Sequence, residues 1–312
     1  MEKDAKAMPR RTESALKRSL SNYKVQRIIT TIIFMFVPLL LLIVLTYIPA
    51  TNMFIYSFQE RTQFSKNASF VGFNNYVTVF TQPEYFKPLL NSIYYLVGSF
   101  IQLALALLLA SIVCSKVKLA NVFKGFIFFP YMINGVAIAL IFVRFFQLGD
   151  GFITTDGALN SIIKLLGGEG VKFLSTPLSA NISLVFVSIW RYIGFDFVMF
   201  MGAIQSIPLD LYEAADLDGA NSWQRFRYIV FPSIRPIIGL QMILAIKGAI
   251  SVFEIPYIMT GGKFGTSTFV IQTIETAFKY NKVGLASAMA VILLIIIIIV
   301  TVIQKLIFRE ET

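Results

Sequence analysis

The stretch Ile207–Pro232 reads IPLDLYEAADLDGANSWQRFRYIVFP. Pro208 suits the first turn of a helix, where a missing N–H costs nothing, and Ser206 is placed to cap it. The run Leu209–Leu217 then reads as a short acidic helix. Gly219 is placed to end that helix in the left-handed conformation that a side chain disfavours. Asn221 or Ser222 can cap a second helix, in which Trp223, Phe226 and Val230 recur at helical spacing while Arg225 and Arg227 point elsewhere. Residues 205–232 are therefore expected to form a rigid amphipathic elbow, a shape that can dock into a partner.

The elbow is flanked by membrane. Apolar residues make up 56% of the 312 and charged residues 14%, with mean hydropathy +0.73, against roughly 45–50% and about 25% in soluble domains. Six stretches are long enough to cross a bilayer, which takes about 20 residues: Ile28–Ile48, Leu89–Cys114, Gly125–Phe146, Asn181–Ile204, Ile237–Ile258 and Val283–Ile303. The first is longer than a signal-peptide core and no small-residue cleavage site follows, so it reads as a retained helix. Lysines and arginines number sixteen in the tail 1–27, the loops 115–124 and 205–236 and the C-terminal end, against eight in the alternate loops. By the positive-inside rule both termini and the elbow are cytoplasmic. The excess of +10 thus reads as topology, with the tail near anionic lipid, and not as nucleic-acid binding. The expected fold is an all-α membrane protein with six transmembrane helices. A basic tail 1–27 precedes the membrane domain 28–307, and a cytoplasmic end, 308–312, follows it.

Several chemistries are excluded. There is no histidine, and the one cysteine, Cys114, can form neither an internal disulfide nor a cysteine-rich metal site. Gly261-Gly262-Lys263 is no phosphate loop, since Tyr257 stands where a glycine is needed and no Ser or Thr follows the lysine. Asn67-Ala68-Ser69 and Asn181-Ile182-Ser183 match the glycosylation pattern by coincidence.

Four ionisable groups lie inside spans, where charge is costly and functional by default. Arg191 and Lys247 fall about 15 Å into their helices, near the midplane. Asp196 falls in the cytoplasmic half and Glu254 in the outer half. Lys247 and Glu254 share a face but sit about 10 Å apart along a helix, and Arg191 and Asp196 point about 140° apart. Pairing across helices, or with a second subunit, is expected instead.

Glu213-Ala214-Ala215, Gly219, Ile229 and Pro232 together resemble the EAA motif of binding-protein-dependent ABC importer permeases, a spacing that chance gives in on the order of one in tens of thousands of chains. Phe231 departs, standing where the family commonly has Leu. FVGFNNYVTVF at 70–80, FPYMI at 129–133, WRYIGFD at 190–196 and TGGKFGTST at 260–268 are similar to the maltose and multiple-sugar permeases. Lys263-Phe264 differs from their usual Gly-Pro. The resemblance covers roughly 28–307 and implies the type I importer permease fold, in a bacterial inner membrane. It implies a heterodimer with a second permease, two ATPase subunits that carry ATP and magnesium, and an external solute-binding protein that delivers substrate. This chain itself would hold no cofactor, no metal and no catalytic residue. The elbow would be the coupling helix, with Glu213 meeting a basic residue of the ATPase and Gly219 setting the angle.

Sugar sites combine aromatic faces with hydrogen-bonding groups. Trp190, Arg191, Tyr192 and Phe195 beside Asp196, and Lys247, Ser251 and Phe253 beside Glu254, offer that mixture, and the aromatics read equally as helix packing and belt residues. An oligosaccharide is the expected substrate. A glycerol phosphate, polyol or other anionic sugar would suit the two midplane bases, and a proton-coupled secondary transporter would use Asp196 or Glu254 but leave the elbow unexplained.

Overall fold

The computed structural model describes residues 11–64, 68–114, 120–149 and 155–307. Tail residues 1–10, loop residues 115–119, Asn67 and the end 308–312 lie outside the described residues. The chain divides into two units, 1–55 and 56–312.

In the first unit one helix begins at Arg11, well before the apolar run, and passes through Pro38 to Leu42. A π turn, Ile43–Tyr47, leads into Ile48–Ser57. Its apolar part, Gln26–Ser57, is the first span. Ile28, Ile32, Phe36 and Leu41 are all exposed, so it is apolar on every side, as suits a helix surrounded by lipid or protein.

In the second unit the second, fourth, fifth and sixth spans are Pro83–Cys114, Pro177–Gln205, Arg235–Thr260 and Val283–Leu306. The third differs from the continuous helix expected over 125–146. It consists of two arms, Ala120–Met132 and Gly135–Phe145, bent by 95°. Asn134 causes the break: its backbone is extended (ψ 135°) and its side chain caps the second arm by accepting from Val136 N. An apolar count cannot see this, because residues on both sides of the break are apolar. The fifth span is also interrupted, between the helices Arg235–Ile250 and Glu254–Thr260. Thr268 Oγ1 donates to the carbonyl of Val252 freed there, at 2.8 Å. Lys247 and Glu254 therefore do not share one continuous helix as expected.

Small residues bring the spans together. Ala106 and Ala110 are fully buried, and a Cβ on Gly98 would strike the Val185 side chain of the fourth span. Gly194 lies against the carbonyl of Ile127 and Cα of Phe128 in the third span. One apolar core near the elbow gathers Leu103, Phe197, Phe200 and Ile234, and another towards the opposite end gathers Tyr95, Phe142, Leu184 and Ile255.

Asparagines fix the loops at the end opposite the elbow. Asn160 is fully buried, donating to the carbonyls of Gln147 and Val171 and accepting from Val171 N. Beside it the Lys164 ammonium (2.6 Å) and the Gly149 amide hold the Asp156 carboxyl below the usual carboxylate range. Asn91 and Asn181 both donate to Gly265 O, pinning the loop at 260–268. Phe264 itself adopts a left-handed φ of 57° there. Asn181 is 1% exposed and occupied in these bonds, so it is no glycosylation acceptor.

Candidate functional site: an elbow and a cleft

The elbow forms much as its residues dictate. Its first helix is Leu209–Leu217, with Pro208 at the cap position and not inside the first turn. Ser206 does not cap it: the hydroxyl donates back to the Ala203 carbonyl, closing the fourth span. Gly219 has φ +74°, and the Ala220 and Gly219 amides fold back onto the carbonyls of Ala215 and Asp216. Asn221, not Ser222, caps the second helix, in a reciprocal pair with Gln224. That helix runs Ser222–Arg225, then a π turn Phe226–Val230, then Phe231–Ser233. Arg225 reaches across the turn to Asp216 at 2.6 Å, tying the two arms.

Val230 anchors the elbow in the core, and Trp223 stacks on Phe226 at 5.6 Å. Burial pushes the Tyr212 phenol up. Glu213, Ala214 and Pro232 are exposed, while Ala215 and Ile229 are half-buried. Leu217 and Tyr228 are exposed at 90% and 74%, a large apolar surface for a loop between spans. Glu213 makes no ion pair among the described residues, so its charge is free for a partner.

Within the membrane domain a cleft of about 580 Å³ opens between the second, fourth and fifth spans. It brings together Tyr192, Phe195, Asp196, Ser251, Phe253 and Glu254. Three of the expected residues, Trp190, Arg191 and Lys247, stand outside the lining. Trp190 packs its ring on Phe142, 5.2 Å between centroids, and Lys247 is exposed outside the lining. Arg191 pairs across helices with Glu254 at 2.5 Å and lies over the Tyr192 ring. The pair rests on Gly135, where a Cβ would collide with both Arg191 Nη1 and Glu254 Oε2. Thus the breaks in the third and fifth spans meet at one ion pair beside the cleft. Interrupted helices mark binding sites in transporters, because only there are backbone groups left free.

Spacing did not single out Tyr95, Ser99, Gln102 or Gln241. Gln102 and Gln241 both bond Asp196, and Tyr95, Ser99 and Gln102 line the cleft. Neutral amides in the middle of apolar spans are a signal in themselves, since each must find a partner away from water. Among the described residues no group of three or more acidic or cysteine side chains could hold a metal.

Residues 102–310 match the family model of the binding-protein-dependent transport system inner membrane component. A probable ABC transporter permease protein of Bacillus subtilis, YurN, is 32% identical over 88% of this chain and 94% of its own. A multiple sugar-binding transport system permease protein of Streptococcus mutans, MsmF, is 33% identical over 87% and 92%. In three dimensions the chain is similar to a chain of a bacterial alginate ABC transporter solved with an alginate pentasaccharide-bound periplasmic protein. The TM-score is 0.80 at 19% identity, covering 92% of this chain and 96% of that one. The interrupted spans, the Gly219 elbow and these likenesses agree: this chain belongs to the binding-protein-dependent transport system inner membrane components, as a permease subunit of an ABC importer and not an enzyme in its own right.

Proposed function

We propose that the chain forms half of a heterodimeric pore that imports an oligosaccharide by alternating access. An external solute-binding protein delivers the substrate, and two ATPase subunits beneath the pore supply ATP and magnesium. Both termini and the elbow face the cytoplasm, and residues 1–27 and 308–312 flank a permease domain, 28–307. The elbow is the coupling segment: ATP-driven closure of the ATPases moves it as a rigid body, and the attached fourth and fifth spans carry that movement to the cleft. Sugar as cargo is supported by the names of relatives and by aromatic and hydroxyl groups in the cleft, where Tyr192, Phe195, Asp196, Ser251 and Glu254 form the substrate path and Arg191 positions Glu254. Trp190 and Lys247 support the path from outside the lining.

The observation that carries the coupling role is the free Glu213 carboxylate on an elbow locked by a left-handed glycine. A charge-assisted contact contributes about 1.5–3 kcal/mol, so Glu213→Ala should weaken ATPase binding about 10- to 100-fold. A Cβ at Gly219 meets no neighbour within 4 Å, so the effect expected of Gly219→Val comes from conformation. A β-branched residue at φ +74° reopens the elbow and should act as strongly. The test is gentle co-purification from the native membrane. Wild type should bring down a second permease and an ATPase, and both variants should lose the ATPase while staying monodisperse. A chain that purifies alone yet transports would sink the proposal.

A further inference from the structure

The charges of the cleft do not balance. Glu254 is compensated by Arg191, and Lys247 lies outside the lining. Asp196 is 7% exposed and makes no ion pair among the described residues. Instead its Oδ2 accepts from Gln102 Nε2 at 2.6 Å and its Oδ1 from Gln241 Nε2 at 2.8 Å. Amide dipoles hold a carboxylate in place by directed hydrogen bonds, but they leave its charge standing. Each oxygen retains a lone pair for a further donor.

The second span supplies the complementary group. Tyr95, Ser99 and Gln102 share one helix face, and all three line the cleft. Ser99 is satisfied by the Tyr95 carbonyl, but the Tyr95 hydroxyl is buried, 4% of the residue being exposed, and has no hydrogen-bond partner among the described residues. A buried unpaired hydroxyl weakens a fold, and one set just behind the lining of a cleft is a donor that a ligand settling against that wall can satisfy. Tyr95 and Gln102 lie about 10 Å apart along their helix, so neighbouring hydroxyls of one saccharide can meet the two demands, one accepting from Tyr95 and another donating to Asp196. A carboxylate or phosphate ester oxygen has no proton to give Asp196 and is repelled by it.

We propose that Asp196, positioned by Gln102 and Gln241, forms with the Tyr95 hydroxyl a subsite for neutral, hydroxyl-rich saccharides that excludes anionic ones. This deepens the carbohydrate reading above and rests on it. It also departs from the idea that the midplane bases receive an anion, since Arg191 is already engaged.

The test uses cells whose only copy of this permease is the variant, with the native partner subunits. Uptake is measured for maltotriose, xylotriose and raffinose as neutral probes and for trigalacturonate and glucose 6-phosphate as anionic ones. Wild type should take up neutral probes only. Asp196→Asn keeps the shape, and a flip of the Gln241 amide, whose buried Oε1 is unpartnered among the described residues, gives the new N–H an acceptor, so it should fold. It should lower neutral uptake about 10- to 100-fold and narrow the discrimination against anions. Tyr95→Phe removes an unpaired group, so thermal stability should hold or rise while neutral uptake falls several-fold. A merely structural role would move the two together. The delivering protein is the same in every arm, and its own selectivity cancels in the ratio of variant to wild type. Wild-type uptake of anionic probes alone overturns the subsite, as does a wild-type rate in Tyr95→Phe, even if Asp196→Asn fails to fold. Uptake of no probe at all overturns the carbohydrate reading beneath it.

Discussion

Gly194→Val abolishes the folded permease, whereas Gly202→Ala, eight residues along the same helix, leaves it intact. An ideal Cβ at Gly194 falls on the carbonyl of Ile127, and the next nearest atom is Phe128 Cα at 2.8 Å. Both obstacles are backbone, so no rotamer change relieves the clash and the third and fourth spans must separate. Overpacking a core costs about 1–3 kcal/mol when side chains can adjust. Here they cannot, and the cost lies at or above the upper end of that range. Phe197 and Phe200, on the same helix, are packed at 0% and 1% exposure, so a displaced span would expose both. Gly202 has nothing within 4 Å of its Cβ. Alanine there replaces a flexible residue in a helix and gains about 0.5–1 kcal/mol. Fluorescence-detected size exclusion of tagged variants reads both: the monodisperse peak should vanish for one and stand for the other. Equal peaks would mean that the close approach of the two spans is not what the fold depends on.

The same contrast explains what the sequence could reveal. The spans were legible because membrane insertion depends on length and apolarity, which are properties of a run of residues. The elbow was legible because capping and left-handed turns depend on local residue types, and Gly219 and Asn221 do what those types require. Ser206 was misread because a serine after a long helix can serve either the helix behind or the one ahead, and distance along the chain does not decide between them. The bend at Asn134 was not legible: Asn134-Gly135 lies within an apolar run long enough to span, and the Arg191 and Glu254 side chains that lie against Gly135 come from other spans. The cross-helix pairing of Arg191 followed from geometry, since no partner was in reach on its own helix. That Glu254, and not Asp196, is paired with a base needed the fifth span to break at residues 251–253, and nothing local announces that. The Gln102–Asp196–Gln241 link joins three spans, and such long-range neutral bonds leave no periodic trace.

Glu254→Gln destabilises the permease more than Arg191→Gln does, and the double variant recovers most of the loss. The reason is the unequal burial of the pair, 13% side-chain exposure for Arg191 and 38% for Glu254. Removing the acid leaves a guanidinium in the membrane interior with no anion among the described residues, where its buried Nε already lacks a partner. Breaking a fully buried pair costs about 3–5 kcal/mol. Glu254 is open to the cleft, so about 2–3 kcal/mol is expected here, the Tyr192 ring at 4.9 Å offsetting part of the loss. Removing the base instead leaves a carboxylate at the open cleft, costing about 1 kcal/mol. With both charges gone nothing is uncompensated, and thermal unfolding in detergent should return to within about 1 kcal/mol of wild type. Transport should not return with it. The pair occupies the space above Gly135 where the two broken spans meet, so a neutral substitute restores the fold without restoring what holds those breaks against the cleft. Additive single losses, with no recovery in the double variant, would show that the two side chains act separately. Recovery of transport along with stability would reduce the pair to packing and leave the substrate path to Asp196 and the aromatic wall.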